Sequence, residues 1–163
     1  MSKSKKKKDK SSEDKNERVI AQNRKARHNY HVLETLECGI QLVGSEVKSL
    51  RQGSLSLDEA YGRMDGGEVW LVGADIPEYR FANTQNHQPK RRRKLLLHRR
   101  EIKKFAGQAY EKGLTLVPLK MYFKRGRAKL LLGICRGKKN FDKRETMRRK
   151  DMQRDSYRAM RRG

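Results

Sequence analysis

The chain has 163 residues, enough for one domain of ordinary size with appendages, and a formal net charge of +23 from 42 Lys and Arg against 19 Asp and Glu. Such an excess repels itself unless a polyanion neutralises it, so nucleic acid is the partner class that composition favours. An anionic membrane is disfavoured, because apolar residues run no further than about four in a row against the roughly 20 that a spanning helix needs.

The N-terminus is basic but has no apolar core segment and no small-residue cleavage site, so no secretory signal is expected. Cys38 and Cys135 lack a metal-ligand spacing and read as reduced thiols of a cytoplasmic protein. The charge divides into +7 over residues 1–30, +8 over 31–134 and +8 over 135–163. The ends are therefore the most densely basic parts, and the middle carries the apolar content of a core.

Residues 1–20 are low in complexity, with Lys5 to Lys8 followed by Ser, Asp, Glu and Asn. With few apolar residues to bury, this extension is expected to be disordered, serving either as a solubilising extension or as a non-specific aid to RNA affinity. Asn23 to Tyr30 is a basic run ending in two rings: basic groups take phosphates and rings stack on bases. Tyr30 reads equally as the first inward residue of a strand. Tyr30 to Val43 alternates and predicts a β-hairpin turning at Gly39. Glu46 to Arg51 predicts a short helix closed by Gly53. Ala60–Met64 and Glu68–Val72 predict a second hairpin about Asp65-Gly66-Gly67, with Trp70 in the core.

Residues 77–89 read as a long polar loop. Lys90 to Lys94 is a basic cluster, and Leu95 to His98 leads into the clearest helix of the chain. There Ile102, Phe105, Ala106, Ala109 and Tyr110 form one apolar stripe, and Gly113 ends it. Val117, Leu119, Met121 and Phe123 are expected to point one way and Lys120, Tyr122 and Lys124 the other. After a turn at Arg125-Gly126, Ala128, Leu130, Leu132 and Ile134 return on the inner side. Lys120, Tyr122, Lys124 and Lys129 would then make a basic outer face holding one ring.

The tail from Arg136 to Gly163 has too few large apolar residues to fold alone, yet is rich in helix formers after Phe141. Met152, Ser156, Ala159 and Met160 share one helical face. The expectation is a segment disordered when free and helical on an acidic surface; a plain solvated basic tail is the other reading. In sum, the chain is expected to be mainly β. Six strands in three hairpins would form an OB-like barrel with flanking helices, between a disordered basic N-terminus and a basic C-terminal tail. The domain boundaries are expected at 1–20, 21–135 and 136–163.

No chemistry stands out. His28, His31, His87 and His98 form no zinc-ligand spacing, no HExxH or phosphate-binding glycine loop is present, and no GxSxG occurs. Function is expected to be binding, without catalysis, cofactor or metal. A structural ribosomal protein or a general nucleic-acid binder would share this composition.

Four blocks, taken together and in order, resemble those of one family, small protein B (SmpB). They are Asn23-Arg24-Lys25-Ala26-Arg27-His28, then Glu46-Val47-Lys48-Ser49-Leu50-Arg51-Gln52-Gly53, then Arg93-Lys94-Leu95-Leu96-Leu97 with Arg100-Glu101, and finally Gly137-Lys138-Lys139 with Asp142-Lys143-Arg144. The resemblance implies an OB-fold body that binds the tRNA-like domain of tmRNA (SsrA), and a tail that reaches the decoding centre and the empty mRNA channel. The partners it implies are tmRNA, the stalled 70S ribosome with its 16S rRNA, and the EF-Tu complex with alanyl-tmRNA. The protein would act as a monomer in trans-translation, allowing the nascent chain to be tagged for degradation.

Carried over residue by residue, the resemblance assigns tmRNA binding to Glu37, Leu96 and His98, where some members carry Asn at the last position. Arg24, Lys25 and Arg27 of the first block join them. It assigns the decoding centre and tail junction to His28, Arg136, Gly137, Lys138, Lys139, Asp142, Lys143 and Arg144. The channel helix would use Met152, Ala159 and Met160.

Overall fold

The computed structural model describes residues 17–82 and 84–162. Residues 1–16 of the lysine-rich extension lie outside that range. Residues 17–20, grouped with the extension in the sequence reading, belong instead to a strand.

The described residues form seven strands: β1 (Glu17–Gln22), β2 (Tyr30–Ile40), β3 (Tyr61–Asp65), β4 (Glu68–Val72), β5 (Arg93–Leu96), β6 (Thr115–Lys124) and β7 (Arg127–Gly137). All pair antiparallel, in the order β1-β6-β3-β4-β5-β2-β7, and a further β6–β7 pairing joins the ends of the run β6 to β7. Six strands thus close into a ring, and β1 adds to β6 from outside it. Closure leaves the ring with few open edges. The core fills its interior, with Leu50, Val69, Leu71, Ala74, Ile76, Met121, Leu130 and Leu132 all fully buried.

The expected hairpin at Gly39 does not exist; β2 runs straight through that residue for eleven residues. Gly39 pairs with Lys129 on one side and Leu96 on the other, and a Cβ there would lie 3.1 Å from Leu96 Cβ. The glycine serves close strand approach, not a turn. The turn at Gly66-Gly67 is present as expected, and both residues have positive φ, 60° and 76°. Only glycine takes two such positions cheaply, as the twist of a two-residue hairpin requires.

β1 and β5 escaped the sequence reading for different reasons. β1 is short, polar and interrupted by a bulge between Val19 and Ala21, so it shows no alternation. β5 has four residues and begins inside a run of basic residues. It exists because Arg93 is buried completely. Arg93 Nε donates to Glu46 Oε1 at 2.8 Å, and its two other nitrogens donate to the carbonyls of Ala74, Arg91 and Pro89. Glu46, also completely buried, sits in helix α2 (Gly44–Arg51) and takes two further hydrogen bonds from Arg91, at 2.7 and 2.8 Å, and one from the Val43 amide. The second and third sequence blocks are thus one buried ionic node that fastens α2 and β5 to the ring.

Trp70, expected in the core, lies on the outer face of β4. Val69 and Leu71 point inward, and Trp70 is half-buried beneath the Arg92 guanidinium, 4.5 Å from the ring centroid. The strand alternates as expected, but the large ring takes the outer phase because Arg92 is there to cover it.

The predicted helix at residues 99–111 is present in three parts: α3 (Arg99–Glu101), a π-helical segment (Ile102–Ala106) and α4 (Gly107–Glu111). Phe105, Ala106 and Ala109 are buried as expected, whereas Tyr110 is 83 % exposed. The wider i→i+5 turn delays the rotation of later residues and carries Tyr110 off the stripe.

A bulge between Pro118 and Lys120 likewise breaks the alternation of β6. Leu116 and Met121 face the ring interior, but Val117 and Leu119, expected beside Met121, pack with Ala26 and Cys135 in a second cluster. Helix α1 (Arg24–Asn29) covers that cluster, with Tyr30 packed against it. Asn23 pins the helix: its carbonyl oxygen accepts from Ala26 N, and its amide donates to the carbonyls of Leu57 and Pro118.

The cysteines fall in the two separate clusters. Burial pushes the Cys38 thiol up to about 12 and the Cys135 thiol up to about 11. Neither thiol is therefore expected to react with an aromatic disulfide reagent at pH 8 in the folded protein, and both are expected to react in denaturant. Rapid labelling of the native chain would show that one of the clusters opens.

Candidate nucleic-acid interface

Side chains on the ring alternate in and out, so one outer row can be followed across five strands. Val19, Tyr122, Lys129, Gly39 and Leu96 are successive cross-strand partners. The next row runs through Gln22, Lys120, Leu131 and Glu37. Lys120, Tyr122, Lys124 and Lys129 therefore do share one outer face. Glu37 and Leu96 lie on it as well, from β2 and β5, and His98 follows two residues after Leu96.

Leu96 ends β5, and His98 is the residue that caps α3. Leu96 is half exposed and open to a partner. Together with Lys94, His98, Arg99 and the Gly66-Gly67 turn it lines a cleft of about 510 Å³.

Glu37 already has partners. It accepts from the Tyr122 hydroxyl, and its Oε2 lies 3.7 Å from Lys124 Nζ. Burial, reinforced by the hydrogen bond to Glu37, raises the Tyr122 phenol well above its ordinary value, so it stays a donor. Lys120 Nζ lies 4.9 Å from the Tyr122 ring centroid. The carboxylate thus fixes a tyrosine and draws a lysine to its place on a surface rich in cations.

Three cations of the first block divide between two places. Arg24 and Arg27 line a groove of about 500 Å³ with Lys120, Leu119, Leu131 and, from the long C-terminal helix, Lys150. This groove continues the outer face. Lys25 points elsewhere, 3.8 Å from Asp58.

The last sequence block forms a latch between body and tail. The tail is a single helix, α5 (Asn140–Arg162), in which no residue is buried. Just before it, Lys138 N donates to Asn29 O at 2.8 Å and Lys138 Nζ to Arg27 O at 3.1 Å. These are carbonyls on either side of His28, at the end of α1. Asp142 Oδ2 lies 3.4 Å from His31 Nε2 and accepts from Lys139 N. Arg136 and Gly137 still belong to β7, opposite His31 and Tyr30. His28 and the junction residues are thereby brought together, whereas Lys143 and Arg144 lie one turn on, and Met152, Ala159 and Met160 stand exposed far along α5. Nothing in the sequence pattern indicated the Lys138 hydrogen bonds, because backbone carbonyls leave no trace in residue type.

Asp142 and His31 are both partly exposed, so Asp142→Ala is expected to change stability by less than about 1 kcal/mol. It should nevertheless broaden the distance distribution between spin labels placed by Glu34→Cys and Met160→Cys. The buried native thiols do not compete for the label. An unchanged distribution would mean that Asp142 does not help to aim α5.

Among the described residues no group of His, Cys, Asp and Glu could hold a metal ion, and no helix is long and apolar enough to cross a membrane.

Comparison with known proteins agrees with this geometry. A family model described as SmpB protein matches residues 20–162. An SsrA-binding protein of Rhodopirellula baltica is 55 % identical over 144 residues, covering 88 % of this chain and 82 % of that protein. One from Rhodopseudomonas palustris (strain BisB5) is 53 % identical over 152 residues, covering 91 % and 97 %. One from Mycolicibacterium gilvum is 52 % identical over 154 residues, covering 94 % and 93 %. A solved chain described as "tmRNA-SmpB: a journey to the center of the bacterial ribosome" is 50 % identical, with a TM-score of 0.63 over 74 % of this chain and 85 % of its own length. With a closed strand ring, a cationic outer face and a latched basic helix matched along almost its whole length, the chain belongs to the SmpB protein family.

Proposed function

We propose that this chain is an SsrA-binding protein that acts with tmRNA in trans-translation on the ribosome. The observation that supports this reading is that Glu37 and Leu96, from two separate stretches of sequence, share one cationic outer face, with His98 two residues beyond Leu96 in the same cleft. The six-stranded ring is read as an OB-like barrel, with the body beginning at β1 and ending at β7. Its outer face grips the tRNA-like domain of tmRNA. Leu96 offers apolar contact, His98 a ring that stacks or hydrogen-bonds, and the ordered lysines neutralise phosphates. Arg24 and Arg27 extend that contact toward α5; Lys25 serves as a peripheral charge.

The junction then works as a mount. Lys138 and Asp142 fix the start of α5 beside His28, so that His28 and the residues from Arg136 to Arg144 face the decoding centre of the 16S rRNA together. Beyond it, Met152, Ala159 and Met160 lie along a helix that fills the mRNA channel of a stalled 70S ribosome, where cationic side chains replace counterions of rRNA. Delivery of alanyl-tmRNA to the stalled ribosome by EF-Tu together with a single bound copy of this protein, in the cytoplasm, completes the proposal.

Sequencing the RNA that co-purifies with the protein from its native host tests the reading. A hybrid tRNA–mRNA species should be strongly enriched over bulk tRNA and rRNA. Recovery of ribosomal RNA alone, in stoichiometric amounts with all subunits, would replace this reading with that of a structural ribosomal protein.

A further inference from the structure

The loop between β4 and β5 has no part in the surface described above. It lies at the opposite pole of the ring from α1 and α5. β2 starts beside α1 and ends just before α2, and its eleven residues span about 35 Å. The loop takes in residues 73–92, and loops longer than about 15 residues without helix or strand of their own are uncommon and tend to carry function.

This one is tied down along its length. Ser49 Oγ donates to Pro77 O at 2.8 Å. His87 is buried, with Nε2 2.8 Å from Ile76 O and Nδ1 2.8 Å from Ser45 Oγ. A carbonyl can only accept, so Nε2 carries a proton. Asn86 and Tyr79 exchange two hydrogen bonds, Tyr79 N to Asn86 Oδ1 at 3.0 Å and Asn86 Nδ2 to Tyr79 O at 2.8 Å.

This anchoring presents two rings at the loop tip. Phe81 is 69 % exposed and meets Tyr79 edge-on, 5.6 Å between centroids, while Lys48 Nζ lies 5.5 Å from the Tyr79 centroid. Behind the tip runs a groove of about 600 Å³, lined by Lys48, Arg91, Gln85, Asn86 and the first turn of α2. That volume suits a nucleotide-sized ligand. Lys48 is exposed on its wall, Arg80 and Lys90 are exposed in the same loop, as is one carboxylate, Glu78, and Glu46 is neutralised within its node. An exposed ring set among cations, with amide groups in an adjoining groove, matches the chemistry of an unpaired nucleotide: a base to stack, a phosphate to pair and a base edge to hydrogen-bond. An acidic or apolar protein surface would leave the amide-lined groove unused.

We propose that the Tyr79–Phe81 tip and the groove behind it form a second RNA contact, which takes an unpaired nucleotide with its base stacked on Phe81 and its phosphate against Lys48 and Arg80. A body gripping one RNA by its outer face would then hold another strand, or a bulge of the same one, at the far pole. This contact does not depend on the identity of the first RNA.

The test uses the full chain with Trp70→Phe and Phe81→Trp, which leaves one indole, at the loop tip. Trp70→Tyr supplies the same background should Trp70→Phe fold poorly. The probes are an unstructured ten-nucleotide RNA and a blunt RNA duplex of equal charge, each end-labelled so that anisotropy reports total binding. The single strand is expected to quench the indole saturably, and Arg80→Ala should shift that curve several-fold to weaker binding. The duplex should leave the emission unchanged while binding elsewhere on the cationic surface. An unchanged spectrum while anisotropy shows the single strand bound would overturn the proposal, as would equal quenching by the duplex; the first of these outcomes would point to a protein partner for the loop.

Discussion

Arg93→Ala is expected to lower the free energy of unfolding by about 3–5 kcal/mol. The reason is what it leaves behind. Glu46 would remain fully buried, and the carbonyls of Ala74, Arg91 and Pro89 would lose donors. Burial alone would raise the Glu46 carboxyl, but the Arg91 and Val43 hydrogen bonds and the Arg93 charge outweigh it, and the carboxyl lies below its usual range. A depressed carboxyl contributes stability that is fully present above its unfolded value, about 4.3, and is lost as pH falls toward the folded one. Urea melts should therefore show the wild type losing stability on going from pH 7 to pH 3.5. Glu46→Gln, already weakened at pH 7, should lose less over the same interval. Equal acid sensitivity of the two proteins would mean that other carboxylates govern acid unfolding. This node helps to fasten β5, which carries Leu96 and leads to His98. The same substitution should therefore weaken RNA binding through the fold, and Leu96→Ala should weaken it with the melting curve unchanged.

The node also explains what could be read from sequence and what could not. The hairpin at Gly66-Gly67, the β6–β7 pair and the buried face of residues 102–109 were legible because each is local: turn chemistry and alternation are written in neighbouring residues. Gly39 was misread because a glycine for a turn and a glycine for close packing look alike until Leu96 stands opposite. The outward Trp70 needed Arg92, and the displaced Val117 and Leu119 needed a bulge; both are settled by partners distant in sequence. Of the candidate site, the resemblance named Glu37, Leu96 and His98; the strand order sets the first two on one face, and His98 follows β5 as the cap of α3. The resemblance could not tell that Glu37 is already engaged by Tyr122, or that Lys25 turns away toward Asp58. The second and third blocks were read together with the RNA-binding ones, yet their Glu46 and Arg93 are interior and hold the frame. Recurrent sequence in a binding protein marks the scaffold as readily as the contact.

Removing residues 140–163 is expected to leave binding of the tRNA-like domain nearly unchanged and to abolish tagging of nascent chains on stalled ribosomes. The cut removes Asp142 and its contact with His31 but falls after Lys138, so Arg136 and Gly137 keep their places in β7 and Lys138 keeps its bonds to α1. The deleted segment carries a net charge of +5. If it touched the tRNA-like domain, its loss would flatten the salt dependence of binding, since each phosphate contact contributes about 0.9 to the slope. An unchanged slope with lost tagging therefore separates a tail that acts on the ribosome from one that merely adds affinity. The helix itself points the same way. It spans about 35 Å and buries no side chain. Arg144–Arg148, Lys150–Arg154, Arg154–Arg158 and Arg158–Arg162 are like-charged i,i+4 pairs, each unfavourable by roughly 0.2–0.5 kcal/mol, against one favourable Glu145–Arg149 contact of 2.6 Å. A peptide of residues 140–162 should accordingly show little helical circular dichroism at low salt and gain it when a polyanionic RNA screens those pairs. Strong helicity in the free peptide would show that the tail is pre-formed, and full tagging by the truncated protein would remove it from the mechanism.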